Sequence, residues 1–187
     1  ASGSSTGIGV CSPSLSSTPR RSAARADRIA LLLGPRSDIL FIQAEAVLAL
    51  DAIATSVARP GLVAANIVTS PYGAYFGAWL RRGGVAVTDV VAEPGQPIVA
   101  SAVKAAIAAL PSVDIVAVVH GEAANGALNP IATIAADARA AGALVVVDAV
   151  ASFGGHPLAI DALGIDIAAI GPQKALGGPV GLSAVTV

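Results

Sequence analysis

Methionine is absent from this chain of 187 residues, even at position 1. The sequence therefore reads as processed, trimmed, or one piece of a longer chain. Cysteine occurs once, at Cys11, which excludes an intramolecular disulfide framework and fits a reducing compartment, the cytoplasm. Charge is scarce: Asp, Glu, Lys and Arg make up 12% of the residues, where about a quarter is usual. A net charge of −1 gives nucleic acid no general attraction. Long apolar runs are also missing. None reaches the roughly 18 residues that a membrane-spanning helix needs. The strongest, "DIVAVVH" and "ALVVVDAV", are strand-sized and interrupted by charge or histidine. No basic start precedes an apolar stretch, so no secretory signal is visible. His120 and His156 have no cysteine or acid at ligand spacing, and no metal site is expected.

What is present is apolar and small. Hydrophobic residues reach 55% with only 3% aromatics, so Ala and Val supply most of the excess. A chain of this kind hides more surface than one compact monomer does. A buried sheet and a subunit interface, in a homodimer, are expected. Residues 1–28 are rich in Ser, Gly and Arg and read as an extended arm. The plain reading of its arginines is a solvated tail; a targeting signature or a nucleic-acid patch is the sharper one. We divide the chain into an arm over 1–37 and one large domain over 38–187.

From residue 38 strands and helices alternate. Strand-like runs occur at 38–42, 62–70, 85–91, 113–120, 143–150, 166–171 and 181–187. Helical spacing covers 45–58, 74–84, 97–110 and 130–142, with Gly or Pro at several ends. Continuous Val, Ile and Ala in the strands implies a parallel sheet covered on both faces. The fold class is α/β, a three-layer αβα sandwich with a mostly parallel sheet. No helix separates the final strand from Lys174, so that strand can run antiparallel. Ligands of open α/β sheets bind beyond the carboxyl ends of strands, which singles out Ser70-Pro71-Tyr72, His120-Gly121-Glu122 and Asp148.

Lys174 is the only lysine after Lys104 and stands in "GPQKALGGPVG". An apolar, glycine-lined setting lowers a lysine's pKa and makes it nucleophilic. Asp148 closes the run "LVVVD", where an unpaired acid costs several kcal/mol. It either caps a turn or holds a cation. A loop, a short helix and one strand fit between the two. A nucleophilic lysine paired with a buried carboxylate suits pyridoxal chemistry, in which the amine forms a Schiff base and the acid keeps the pyridine nitrogen protonated.

These residues carry a resemblance. The stretch from Val145 to Ser183 resembles the cofactor segment of class V, fold-type I aminotransferases of the alanine–glyoxylate group. "VVHGEAANGALNPI" (118–131) is similar to that family's His-Gly-Glu-Ser-Ser-Thr-Gly stretch, and "SPYGAYFG" (70–77) to its loop before a ring-stacking helix. The resemblance implies pyridoxal 5′-phosphate as cofactor, a small amino acid and a 2-oxo acid such as pyruvate or glyoxylate as substrates, and a site at a dimer boundary. It further implies that Lys174 forms the covalent link and shuttles the proton. Asp148 then pairs with the pyridine nitrogen, Val150 and Tyr72 pack on opposite ring faces, and Gln173 approaches the phosphate. Ala123 and Ala124 stand where the family has a hydroxyl for the ring oxygen, and Asn125 is the candidate substitute.

Glu45, Ala46 and Val47 begin a helix where relatives cradle phosphate with a Gly- and Ser/Thr-rich turn. An acid there is a favourable first-turn residue, or it repels a phosphate. A subgroup, the pyridoxamine–pyruvate aminotransferases, is similar in carrying a Glu at this turn and a Tyr-Gly-x-x-Phe-Gly loop, here Tyr72-Gly73 and Phe76-Gly77. It handles unphosphorylated pyridoxal and pyridoxamine. The family's smaller C-terminal domain, which supplies an arginine for the substrate carboxylate, has no counterpart here. None of the chain's arginines matches it. A non-catalytic cofactor-binding or assembly domain is therefore a further alternative.

Overall fold

Burial on both faces of a β-strand is stable only when a layer of helices covers each face. The computed structural model describes Ile29 and residues 38–187; the rest of the arm expected over 1–37 lies outside the described residues. Seven strands form one sheet in the order β1-β7-β6-β5-β4-β2-β3. The strands are β1 (Ile39–Ile42), β2 (Val63–Val68), β3 (Ala86–Val91), β4 (Ile115–Val119), β5 (Leu144–Asp148), β6 (Ile167–Ile170) and β7 (Ser183–Thr186). The helices are α1 (Ala46–Val57), α2 (Pro71–Arg82), α3 (Ala100–Ala109), α4 (Ile131–Ala140) and the single turn α5 (Ile160–Leu163).

Pairings among β2, β3, β4, β5 and β6 are parallel, whereas β7 runs antiparallel to both β6 and β1. Two reversals restore direction, so β1 points the same way as β6 and only β7 is inverted. The carboxyl ends of six strands thus lie along one edge. The order along the sheet turns back between β2 and β4, which makes that gap a topological switch point.

The period-2 alternation of strand side chains sorts residues into two cores. Ile115 and Ala117 of β4 pack with Ala49, Leu50 and Ile53 of α1 and Phe76 and Leu80 of α2. Val116 and Val118 face the other way, against Val103 and Ile107 of α3 and Ile131, Ile134 and Ala138 of α4. Small Ala side chains let the helices lie close to the sheet, which is why so apolar a chain manages with few aromatics.

Helix α2 begins earlier than its sequence suggests. The spacing predicts a start at 74, but the helix opens at Pro71, with Ser70 as N-cap accepting from the Tyr72 N–H at 3.2 Å. Proline suits the first helical position because its missing N–H has no intrahelical partner there. Tyr72 therefore sits in the first turn of a rigid helix rather than in a loop. Helix α3 is shorter than expected, starting at Ala100 instead of 97.

Gly73 locks α2 against β2. A Cβ at Gly73 would lie 2.6 Å from the Ile67 carbonyl oxygen and 3.2 Å from Val68 Cα, both backbone. The Gly73 carbonyl also accepts from Asn66 Nδ2 at 3.0 Å. Gly73→Ala gains at most about 1 kcal/mol of helix propensity, whereas overpacking costs about 1–3 kcal/mol, so the clash dominates. We expect a lower urea midpoint for Gly73→Ala; an unchanged or higher midpoint would contradict this packing.

Candidate active site

Five segments meet at the carboxyl edge of the sheet. After β1 the chain turns through Glu45 into α1. Beyond β2 come Ser70-Pro71-Tyr72, and beyond β4 come Gly121, Glu122 and Ala123. Strand β5 ends in Asp148, followed by Val150, and the loop after β6 carries Gln173 and Lys174. Glu45, Ala46, Val47, Tyr72, Ala123, Asp148, Val150, Gln173 and Lys174 line one cleft of about 230 Å³, together with Leu50, Val119, Gly121, Glu122 and Ala151. Asp148 and Lys174 thus face the same space.

Asp148 has an unusual environment. Burial pushes its carboxyl up from 3.8 to about 6. The Val150 N–H, 2.9 Å from Oδ1, opposes that shift, the neighbouring Glu122 adds to it, and the Lys174 amine opposes it. Poor hydration disfavours the anion, so the group gains most from a cation placed against it.

Lys174 corrects one expectation. The glycines around it do not bury it: the side chain is exposed along the cleft. They serve the path of the loop instead. Gly177 and Gly181 have φ of 64° and 76°, which other residues rarely adopt, and the Gly178 N–H closes a turn onto the Pro172 carbonyl at 2.6 Å.

The same loop binds Glu45. Its Oε2 accepts from Gln173 Nε2 at 2.9 Å and its Oε1 from the Gly181 N–H at 3.0 Å. Glu45 is the N-cap of α1 by backbone position, yet its carboxylate makes no cap hydrogen bond to the helix. The acid is therefore more than a first-turn ornament of the helix dipole. It ties the start of α1 to the lysine loop, and Gln173 Oε1 is left buried without a hydrogen-bond partner among the described residues.

Asn125 does not join the cleft. Its Nδ2 donates to the Thr69 carbonyl at 3.3 Å, and its Oδ1 accepts from the Ala127 N–H at 2.9 Å. Both ends of the amide are committed to the turn after β4. It therefore cannot offer the substitute hydrogen bond expected of it without breaking that turn.

Glu122 is the residue that sequence reasoning placed at a strand end without a role. It is 3% exposed. Asn129 Nδ2 donates to Thr69 Oγ1 at 3.0 Å, so the hydroxyl proton of Thr69 is free to go to Glu122 Oε1, its other partner. Oε2 is buried with no hydrogen-bond partner among the described residues. No sequence signal finds this network, because Thr69 and Glu122 lie 53 residues apart. His120 is turned elsewhere. Its Nδ1 lies 2.9 Å from Ser152 Oγ, and burial and His156 hold its imidazole below the ordinary value.

The family model for class-V aminotransferases matches residues 9–187. The chain belongs to the class-V aminotransferase family. Its match begins inside the segment read from sequence as an arm. The pyridoxamine–pyruvate transaminase of Mesorhizobium japonicum is 35% identical over 148 residues, 79% of this chain and 38% of the relative. The crystal structure of pyridoxamine–pyruvate aminotransferase from Mesorhizobium loti superimposes with a TM-score of 0.79 at 33% identity, covering 86% of this chain and 41% of that one. Alanine–glyoxylate aminotransferase from Nostoc sp. gives 0.81 at 27% identity, covering 90% and 46%. The chain thus spans about two-fifths of the curated class-V relative. Class-V aminotransferases depend on pyridoxal phosphate, and the α/β sandwich is the fold-type I architecture.

A raised acid lowers stability once it must ionise. The folded-state value of Asp148, about 6, exceeds the unfolded value of 3.8. The folded state therefore binds the proton more tightly, stability declines as pH rises between those two values, and the full cost is present above about 6. Asp148→Asn, which keeps an acceptor for the Val150 N–H, removes that cost. We expect the ligand-free variant to melt higher than the parent at pH 8, by up to about 3 kcal/mol in stability, and the gain to vanish near pH 4. Equal melting temperatures at pH 8 would show that Asp148 is not desolvated.

Proposed function

We propose that this chain is the cofactor-binding part of an aminotransferase that moves an amino group between a small amino acid and a 2-oxo acid such as pyruvate or glyoxylate. The observation that carries the reading is one cleft holding an amine, Lys174, and a desolvated carboxylate, Asp148, with Tyr72 and Val150 beside them. The residues fit the ring and aldehyde of a pyridoxal-type cofactor: a poorly hydrated acid gains from a ring N–H⁺, and an exposed amine can reach a carbonyl. Such a cofactor, when bound, supplies an aldehyde and a ring that draws electrons from the carbon being deprotonated. Asp148 keeps the ring nitrogen protonated, while Tyr72 and Val150 hold the ring between them. Lys174 Nζ would take the proton from Cα of the substrate and deliver it to C4′, the former aldehyde carbon of the cofactor. A homodimer in the cytoplasm, with the apolar rim of Val47, Leu48 and Tyr75 against the second copy, belongs to the same proposal.

A second reading concerns the form of the cofactor. The phosphate of pyridoxal 5′-phosphate favours a helix N-terminus with free N–H groups. At the start of α1 this chain places the Glu45 carboxylate, held by Gln173 and Gly181, and Lys174 is the only cation among the described residues that line the cleft. Two anions about 4 Å apart repel by about 1 to 4 kcal/mol, depending on hydration. This favours an unphosphorylated ring, pyridoxal or pyridoxamine, exchanging its amino group with pyruvate.

Absorbance titrations separate the readings. Mixed with pyridoxal, and separately with pyridoxal 5′-phosphate, the protein should develop a visible band that Lys174→Ala abolishes. No band with either compound would support the non-catalytic domain. On the second reading pyridoxal binds more tightly, and Glu45→Gln narrows the preference by about tenfold, equivalent to about 1.4 kcal/mol. Equal affinities in the parent protein would refute that reading and leave the first standing.

A further inference from the structure

Glu122 is a buried acid that the transfer reaction, as described above, does not use. Its side chain is anchored at one end only: Oε1 takes the Thr69 hydroxyl, which Asn129 orients, while Oε2 has no hydrogen-bond partner among the described residues. Asn129 is itself pinned, donating to the Val119 carbonyl at 2.7 Å and accepting from the Ile98 N–H at 2.9 Å. The anchoring leaves Glu122 little freedom to swing out to solvent, and the residue lines the cleft. In the parallel register Val119 of β4 stands opposite Asp148 of β5. Glu122 lies three residues beyond Val119, and it shares the cleft with Asp148. Burial leaves little water to screen one from the other.

We propose that Glu122 is a positioning residue that acts on the ligand through Asp148, repelling charge on that carboxylate and so helping to set how the cleft's hold on a ring nitrogen depends on pH. The inference rests on the reading that the cleft takes a pyridine ring. All groups facing Asp148 enter the balance. Glu122, from the turn after β4, disfavours its ionisation. Lys174, from the loop after β6, favours it. Glu45 at the start of α1 is tied to Gln173 and Gly181, Tyr72 lies at the start of α2, and His120 faces Ser152 and His156. Among the described residues the lining holds three acidic side chains and one lysine, a balance that suits a cationic ring when Asp148 is ionised. With a proton on Asp148 that attraction weakens. Burial is the main reason that the change between the two states lies at about 6, and Glu122 adds to it, whereas an isolated Asp would stay ionised far below that. A buried, half-satisfied acid is otherwise a cost without a return.

Two measurements test this. In the ligand-free protein, a carboxyl ¹³C NMR titration follows Asp148, its resonance assigned by loss in Asp148→Asn. The parent midpoint should lie near 6, and Glu122→Gln, whose amide oxygen can still accept from Thr69, should move it to lower pH. Thr69→Val unhooks Oε1 but keeps both acids, so its midpoint should remain raised; this separates charge from mere packing. An unchanged midpoint in a folded Glu122→Gln overturns the inference and leaves the functional proposal intact. In the second measurement, pyridoxine, which has the ring but no aldehyde, is titrated calorimetrically from pH 5 to pH 8. Affinity should fall on the acid side with the Asp148 midpoint, and the fall should move to lower pH in Glu122→Gln. An analogue with carbon in place of the ring nitrogen should show no such fall. Failure of pyridoxine to bind at any pH would overturn the reading of the cleft as a ring site, and the inference with it. Binding whose acid limb is the same in parent and Glu122→Gln would overturn the inference alone.

Discussion

The site depends on a carboxylate kept where water serves it poorly. Asp148 lies at the end of a strand flanked by β4 and β6, with valines behind it, and its anion has one backbone N–H for support. In water such a group would be ionised and indifferent to its neighbours. Here its ionisation is costly enough that every nearby charge matters, and a ring cation becomes a natural partner. The proposed action of the Lys174 amine at the other end of the same ring requires that both side chains share a cleft, as they do.

The topology makes that sharing possible. Five segments from distant parts of the chain arrive at one edge because six strands point the same way. The inverted β7 contributes indirectly. The chain reverses direction after β6 through a wide, glycine-rich loop, and that loop carries Lys174 and the backbone N–H that grips Glu45. The start of α1 and the lysine are thus mechanically linked, although residues 45 and 181 are far apart in sequence. The class-V family supplies the chemistry expected of such an edge. On the proposed reading, the residues at the start of α1 bear on which form of vitamin B6 suits it.

The strands were legible because each is a short run of Val, Ile and Ala between turn residues, a pattern that burial on both faces demands. Asp148 and Lys174 stood out by contrast: a charge in an apolar run has to be explained. Other features misled. Pro71 looked like the end of a loop, but it opens α2, since a helix tolerates proline only at its first turn. The glycines near Lys174 suggested a sealed sleeve, yet they answer to backbone turns. Asn125 looked available because a sequence does not show that its amide is spent on Thr69 and Ala127.

What the sequence determined by itself is local and periodic: the alternation of strands and helices, the parallel sheet, and the two residues whose chemistry is out of place among alanines and valines. These follow from side-chain period and solvation, which act over a few residues. Tertiary structure alone decided which groups meet. The Thr69–Glu122 contact, the Glu45 tether to the lysine loop and the unpartnered oxygen of Glu122 all depend on strand order and loop path. Hydrogen bonds and desolvation act over a few ångströms of space, and one-dimensional spacing does not report that distance.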